Sequence, residues 1–227
     1  MPITNRLSLL VTLVLIIIVP VVLGQAMIAS LSKLHLTQNE AFMIVLAIVF
    51  GGLINIPIKR IVREQPVWSH PLTIFGLDRT LPRWTTRRRE TIIAVNVGGC
   101  VVPFLIACFQ LAYLSKLGPD VMWAVGAAIA INSITCFLAA TPVQGVGIVM
   151  PGFVAPITAA LSALLLVPDA APPAAFVAGV LGPLIGADFF HIHELIRNPR
   201  SVGMASIGGA GTFDGIVLSG ILATLLA

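Results

Sequence analysis

The sequence predicts an all-α integral membrane protein that forms one domain over residues 1–227. Hydrophobic residues make up 58% of the chain and charged residues only 10%, whereas soluble domains contain about 25% charged residues. The apolar residues occur in continuous runs and not in the alternating pattern of a membrane barrel. Three cysteines lie in these runs, and we expect them to pack as small apolar side chains.

Seven apolar runs approach the length of about 20 residues that a helix needs to cross a bilayer. The predicted spans cover residues 7–31, 41–58, 91–115, 119–140, 150–167, 172–195 and 205–227. The first run has Arg6 in front of it, as a secretion signal does. Its apolar part is longer than the roughly 7–15 residues of a signal core, so we predict a retained span.

Positive charges predict the orientation of these spans, because Lys and Arg concentrate in cytoplasmic loops. With the N-terminus inside, eleven Lys and Arg residues fall on the cytoplasmic side and two, Lys33 and Lys116, fall outside. This bias predicts an N-in, C-out topology in a prokaryotic inner or plasma membrane. The sequence leaves the oligomeric state open.

The loop at residues 59–90 combines eight cations with the aromatic residues Trp68, Phe75 and Trp84. One interpretation is the positive-inside signal with aromatic anchors at the membrane surface. The other is a platform that binds anionic lipid headgroups or a substrate segment. Nucleic acid is not an expected partner, because the charge lies beside the spans and no basic helix carries polar base-reading residues.

The stretch "TPVQGVGIVMPGFVAP" at residues 141–156 has no charge but contains three glycines and three prolines. Proline removes a backbone donor and disfavours helix in the residue before it. We predict a broken or re-entrant segment that lines a cavity, with Gly145, Gly147 and Pro151 as its flexible positions. An ordinary short loop followed by a kinked helix is the alternative.

An intramembrane carboxylate is predicted within "GVLGPLIGADFFHIHELIR" at residues 179–197. Asp188 lies about 13 Å from Arg197 at the helical rise of 1.5 Å per residue. Gly182 and Gly186 precede it on one helical face, and small residues at that spacing allow a neighbouring helix to approach closely.

A metal site is one interpretation of the residues that follow Asp188. His191 and Glu194 share its helical face, while His193 points elsewhere. Polar residues of a surface loop are the alternative, because the spacing matches no strong metal signature. No cofactor is expected.

A second carboxylate lies in the glycine-rich stretch "GGAGTFDGIVLSG" at residues 208–220. Asp214 is about 12 Å from Ser206 at the same helical rise. It is either the N-cap of a helix that begins at Gly215 or a proton or ion site. The flexible positions around it are Gly208, Gly209, Gly211 and Gly215.

The two carboxylates are predicted to lie at one level on adjacent helices. Two carboxylates that share a site cannot both ionise cheaply, so Asp188 and Asp214 would hold one proton between them. Such a pair can activate water as a base while its partner protonates a carbonyl. The same pair can bind an ion in a proton- or cation-coupled transporter or channel, and a structural membrane subunit is the third possibility.

Three asparagines lie in the second, third and fourth predicted spans. We expect them to join helices by hydrogen bonds or to line a polar cavity; they are Asn55, Asn96 and Asn132.

The motifs "PVQGVGIVMP", "GPLIGADFF" and "GGAGTFDGIVLSGILA" resemble a prokaryotic integral-membrane family of unknown function. This resemblance covers the chain from about residue 45 and implies no activity. The chain is also similar to the presenilin-type and prepilin-type intramembrane aspartyl proteases, which implies that Asp188 and Asp214 form a catalytic dyad acting on a membrane peptide. It departs from them in having "GTFDG" without glycine directly before Asp214, and no proline-alanine-leucine motif follows.

Overall fold

A computed structural model describes residues 3–69, 83–143, 147–192, 203–209 and 214–227, and most of these are helical. The helices are α1 (Ile3–Ser32), α2 (Gln38–Gly51), α3 (Val102–Leu114), α4 (Pro119–Ala139), α5 (Val154–Leu166), α6 (Ala171–Gly182) and α7 (Gly215–Leu226). Two π-helical segments, Val97–Val101 and Pro183–Phe189, precede α3 and continue α6. The strands are β1 (Asn55–Ser69), β2 (Arg83–Asn96), β3 (Thr141–Val143), β4 (Gly147–Val149) and β5 (Gly203–Ile207).

Three helices among the described residues are long and apolar enough to cross a membrane. They are Val97–Leu117 and Pro119–Ala139, with 21 residues each, and Pro168–Ile192, with 25. The other apolar helices found there are shorter: Ile18–Ser32 within α1, and α2, α5 and α7. Each of the seven predicted ranges overlaps one α-helix, and the mostly helical character is confirmed. The seven-span count and the orientation stay predictions.

The helix ends form two groups, which we name the turn end and the strand end. At the turn end, short connections join α1 to α2, α3 to α4 and α5 to α6. The Lys33 Nζ atom donates to the carbonyls of Thr224 and Leu225 at 3.2 and 3.1 Å, so α1 and α7 finish together. Gln110 Nε2 donates to the Leu34 carbonyl at 3.0 Å, which brings the end of α3 to the same place. Among the described residues, the five strands belong to the connections at the opposite, strand end.

A three-stranded sheet in the order β1–β2–β5 lies at the strand end. β1 and β2 are antiparallel, from the pair Asn55 and Asn96 to the pair Ser69 and Arg83. β5 adds to β2 in parallel, beside Thr91–Val95. β2 is therefore the central strand.

The sheet corrects the boundaries of the second and third predicted spans. α2 ends at Gly51 and not near residue 58, and the next helix begins at Val97 and not near residue 91. The residues between them include Ile56, Pro57 and Ile58, and β-branched residues and proline fit a strand better than a helix interior. The chain is mostly helical but not all-α, and the loop at residues 59–90 contains most of two strands.

The helix is interrupted at residues 141–156, as predicted. β3 and β4 pair as a short antiparallel hairpin, and α5 starts only at Val154. Pro151 is exposed and Gly147 lies in β4, whereas Gly145 falls outside the described residues. Whether this segment re-enters the membrane and lines a cavity stays a prediction.

α6 is the central helix, because ten of its twelve residues are buried. Helices α3, α4, α5 and α7 pack around it. Its small residues allow this packing: a Cβ added at Gly179 would stand 2.9 Å from the Ser219 carbonyl oxygen of α7. α6 carries its π-helical continuation, and with it Asp188, to the strand end.

Candidate functional site

Asp188 lies in the π-helical segment Pro183–Phe189. Pro183 lacks a backbone donor, and the helical hydrogen-bonding pattern changes from α to π at this residue. A Cβ added at Gly182 would overlap the Asn132 side chain, and one added at Gly186 would overlap the Ser133 carbonyl oxygen. α4 therefore packs directly on this segment. Single π-helical turns are frequent at functional sites.

Asp214 is the N-cap of α7. Its backbone is extended, with φ −69° and ψ 145°, and its Oδ1 atom accepts a hydrogen bond of 2.9 Å from the Ile216 backbone N–H. The carboxylate is half-buried and stands at the positive end of the helix dipole. Of the two interpretations of Asp214, the structure contains the capping geometry, and this geometry is compatible with a chemical role.

Both carboxylates lie at the strand end of the bundle. Asp188 and Asp214 lie within range of each other's charge, and both are half-buried. The Cys100 thiol lies near both carboxylates, and the Cys136 thiol lies near Asp188. Both thiols are buried. These four side chains therefore form one loose cluster, which comes from the two π-helical segments, α4 and the N-cap of α7.

Glycines fix the backbone beside this cluster. Gly208 has a positive φ of 69°, and a Cβ at this position would stand 2.6 Å from the Gly99 carbonyl carbon. A Cβ at Gly99 would in turn overlap the Gly208 carbonyl oxygen. The backbone after β5 therefore contacts the π-helical turn before α3 directly. Gly209 continues this turn, Gly215 faces open space, and Gly211 lies outside the described residues.

Asn96 joins the elements at this end. Its Oδ1 atom accepts from the Gly99 N–H at 2.7 Å and caps the π-helical turn, while its Nδ2 atom donates to the Gly52 carbonyl at 2.8 Å. Nδ2 also donates to Asn55 Oδ1 at 3.1 Å, which accepts from Ser206 Oγ at 2.6 Å. Asn96 and Asn55 thus make their hydrogen bonds from strands and not from helices. The sequence did not indicate Ser206, because this residue is 151 residues from Asn55.

Asn132 makes the helix–helix hydrogen bond that the sequence predicted. Its side chain donates to the Ala178 carbonyl at 2.8 Å.

His191 is buried, with 5% of its surface exposed, so it does not belong to a surface loop. Its Nδ1 atom donates to the Ala187 carbonyl at 2.9 Å, because a carbonyl can only accept. His193 and Glu194 lie outside the described residues. Among the residues that the structure describes, no three His, Cys, Asp or Glu side chains form a group that could hold a metal ion.

Residues 49–226 match the model of a family described as "Protein of unknown function (DUF1614)". The chain belongs to the DUF1614 family. No curated protein and no solved structure matches it.

The DUF1614 match begins near the end of α2 and extends through α7. It therefore includes the sheet, both π-helical segments and both carboxylates, and it leaves out α1. The predicted membership in a family of unknown function is confirmed. The motif that we singled out for this family and the similarity to intramembrane aspartyl proteases stay predictions.

Proposed function

We propose that this DUF1614 protein is a small intramembrane hydrolase in which Asp188 and Asp214 share a proton and cleave a peptide bond. The observation that carries the proposal is the proximity of two half-buried carboxylates at one end of an apolar helix bundle. An intramembrane carboxylate costs about 2.5–3.5 kcal/mol on insertion scales, and such residues are mostly functional. Helix capping explains Asp214 alone and does not explain a second carboxylate within range of its charge.

The two carboxylates occupy different electrostatic positions, which supports different roles. Asp214 caps the N-terminus of α7, where the helix dipole and the Ile216 N–H favour its ionised form. Asp188 lies twenty residues beyond the start of the helix Pro168–Ile192, so the N-terminal dipole of its own helix does not favour its ionised form. Asp214 is therefore the base and Asp188 holds the proton.

These roles give a balanced hydrolysis. Asp214 takes a proton from water, and the resulting hydroxide attacks the carbonyl carbon of the substrate while Asp188 donates its proton to the carbonyl oxygen. The tetrahedral intermediate then collapses: the carbon–nitrogen bond breaks, the amine leaves with a proton from Asp214, and the new carboxyl group returns a proton to Asp188. Both residues regain their starting states.

The membrane placement belongs to the same proposal. The excess of Lys and Arg on one side supports seven spans in a prokaryotic inner membrane, N-in and C-out. In that orientation the strand end faces the cytoplasm, and so does the carboxylate pair. The substrate would be an extended segment of a membrane peptide that enters from this side.

A proton- or cation-coupled transporter is the second candidate, because polar features continue beyond the carboxylate pair. Among the described residues, Gln110 Oε1, Ser133 Oγ and Ser219 Oγ are buried without a hydrogen-bond partner. A cavity of about 420 Å³ at the turn end is lined by Asp120 and Asp169 among others. A transport pathway would join this cavity to the carboxylate pair through such polar atoms.

One set of variants in vesicles separates these functions. The purified protein is reconstituted with a membrane-spanning test peptide that carries a fluorophore and a quencher, and the vesicles enclose a pH-sensitive dye. Asp214→Asn is the key variant, because asparagine caps a helix as well as aspartate but cannot exchange the proton. We expect Asp214→Asn and Asp188→Asn each to reduce cleavage at least a hundredfold, as the loss of a general acid or base does.

The variant Asp214→Ala is the matched control, since it removes the cap as well as the charge. It should lower the free energy of unfolding by about 1 kcal/mol, whereas Asp214→Asn should leave it unchanged. Cleavage that survives Asp214→Asn overturns the hydrolase. Carboxylate-dependent proton flux without cleavage selects the transporter, and the absence of both activities selects a structural subunit.

A further inference from the structure

Gln25 places a primary amide at the midpoint of the apolar helix Ile18–Ser32, which is the part of α1 that reaches the turn end. The other polar side chains of this stretch have partners: Ser30 and Ser32 donate to backbone carbonyls at 3.1 and 2.8 Å. Gln25 makes no hydrogen bond to any part of the chain that the structure describes. Its amide is therefore open to a partner from outside the chain.

The Gln25 side chain lies on the side of α1 that is turned away from the bundle. The buried residues of α1 are Met27, Ser30 and Leu31, and each is at least about 120° from Gln25 around the helix axis at 3.6 residues per turn. Gln25 itself is exposed. At 1.5 Å per residue it lies about 10 Å from the end of α1, which is within a hydrocarbon core of about 30 Å. An amide without a hydrogen bond is unfavourable there.

The residues around Gln25 form an exposed seam along α1. They recur at steps of three or four residues, and each lies within about 40° of Gln25 around the axis. We name this seam the outer face; its members are Val11, Val14, Ile18, Val21, Gln25 and Ala29. Helices that pair side by side use this kind of repeat, and a single polar residue among apolar ones fixes the register of the pair.

We propose that the outer face binds the outer face of a second copy of this chain, with a hydrogen bond between the two Gln25 amides. A glutamine amide both donates and accepts, so two identical faces are complementary at this position. Copies of one protein insert with the same orientation, so their Gln25 side chains lie at one depth and meet across a twofold axis. Lipid acyl chains offer no hydrogen bond, and a helix of a different protein would need its own polar group at this depth.

This interface is separate from the candidate site. The family match begins at residue 49 and leaves out α1, and the outer face does not include the strand end, where Asp188 and Asp214 lie. The inference rests on the membrane placement given with the proposed function and not on the chemistry of the carboxylates. The aspartate variants test cleavage and the variants below test association, so either proposal can fail while the other holds.

Sedimentation equilibrium of the full-length protein in density-matched detergent tests the association. We expect a monomer–dimer equilibrium for the unmodified protein. Gln25→Leu removes the amide and should raise the dissociation constant about tenfold, within the range of interhelical hydrogen bonds in membranes. Gln25→Asn retains an amide and should keep most of the affinity.

Gln38→Leu is the matched control, because it makes the same change at an exposed glutamine at the start of α2. It should leave the dissociation constant unchanged. Thermal unfolding reports whether each variant is folded. Gln25→Leu removes no hydrogen bond among the described residues, so its melting temperature should match that of the control.

Oxidative cross-linking in membranes locates the contact on α1. Val21→Cys lies about 40° from Gln25 and Val19→Cys about 120° from it, and the two valines are similarly exposed, at 58% and 43%. Both variants also carry Cys108→Ser, because the Cys108 thiol is exposed. We expect Val21→Cys to link two copies and Val19→Cys to stay unlinked.

Three results overturn the proposal. A protein that is monomeric at every concentration and stays unlinked in membranes would mean that a second copy is not the partner of the amide. A Gln25→Leu variant that associates as tightly as the unmodified protein would mean that the amide does not hold the pair. Stronger cross-linking by Val19→Cys than by Val21→Cys would place the contact on a different side of α1.

Discussion

The chain reverses direction between helices at both the turn end and the strand end, but the two ends use different structures. At the turn end α1 is joined to α2 by five residues, and the Thr37–Glu40 capping box satisfies the backbone of α2 locally. At the strand end one π-helical segment precedes α3, another continues α6, and the chain also forms a three-stranded sheet. The reversals there depend on partners far away in the sequence.

Glycine shows the difference most directly. At the turn end Gly118 has a positive φ of 123° and faces open space. This glycine therefore serves the local backbone conformation and not a contact with another segment. At the strand end Gly98, Gly99 and Gly186 each lie against another segment's backbone, where a Cβ would overlap. Such contacts hold the elements that carry Asp188 and Asp214 in one arrangement. A site that must place two carboxylates needs this support from its surroundings.

The sharpest test of this difference compares two glycines in helices. Gly186→Ala places a methyl group on the Ser133 carbonyl, whereas Gly126→Ala adds one where no atom lies within 4 Å. We expect Gly186→Ala to lower the free energy of unfolding by about 3 kcal/mol, the upper end of overpacking costs. Gly126→Ala should raise it by up to about 1 kcal/mol through helix propensity. Thermal unfolding in detergent measures both, and similar melting temperatures would show that the strand end relaxes freely.

A second comparison measures how much unfolding free energy is lost when one polar side chain is removed from each end. Asn96→Ala removes the cap of the π-helical turn and leaves the Gly99 N–H and Gly52 carbonyl without their partner. This should cost about 2 kcal/mol of unfolding free energy. Lys33→Met removes the bonds to two carbonyls at the end of α7 but lies exposed, and should cost below about 1 kcal/mol. A larger loss from Lys33→Met would mean that the turn end holds the bundle together.

The same contrast explains which parts of the fold the sequence could predict. Apolar runs and prolines are local signals, so each predicted span overlaps a helix and the interruption at residues 141–156 is found. The sheet is not a local signal. Ile56 and Ile58 extend the apolar run of α2, and only the pairing of β1 with β2, and of β2 with β5 more than a hundred residues later, makes them strand residues.

The features of the candidate site also differ in whether a local sequence pattern indicates them. The carboxylates stood out because a charge inside an apolar run is visible in the sequence. The capping role of Asp214 depends on where α7 begins, which Gly215 indicates but does not fix. The link from Asn96 through Asn55 to Ser206 joins three strands and leaves no local pattern. The shared proton and its chemistry stay predictions.

The smallest expected effect is a pH dependence at the turn end. The Thr37 backbone N–H and hydroxyl donate to Glu40 at 2.7 and 2.8 Å, and they lower the pKa of this carboxyl from its ordinary value of 4.5. Glu40 lies just before the predicted second span, 41–58. Because its pKa is lower in the folded state, its contribution to stability is present above 4.5 and is lost as the pH falls through the folded value.

Glu40→Gln isolates this contribution, because glutamine can close the same capping box without titrating. Between neutral pH and about pH 3, where an ordinary glutamate is protonated, the unmodified protein should lose slightly more thermal stability than the variant. The difference should be small, because Glu40 is exposed. If the variant lost as much stability on acidification as the unmodified protein, the groups responsible would lie elsewhere, and the capping box of α2 would contribute nothing to the acid sensitivity of the fold.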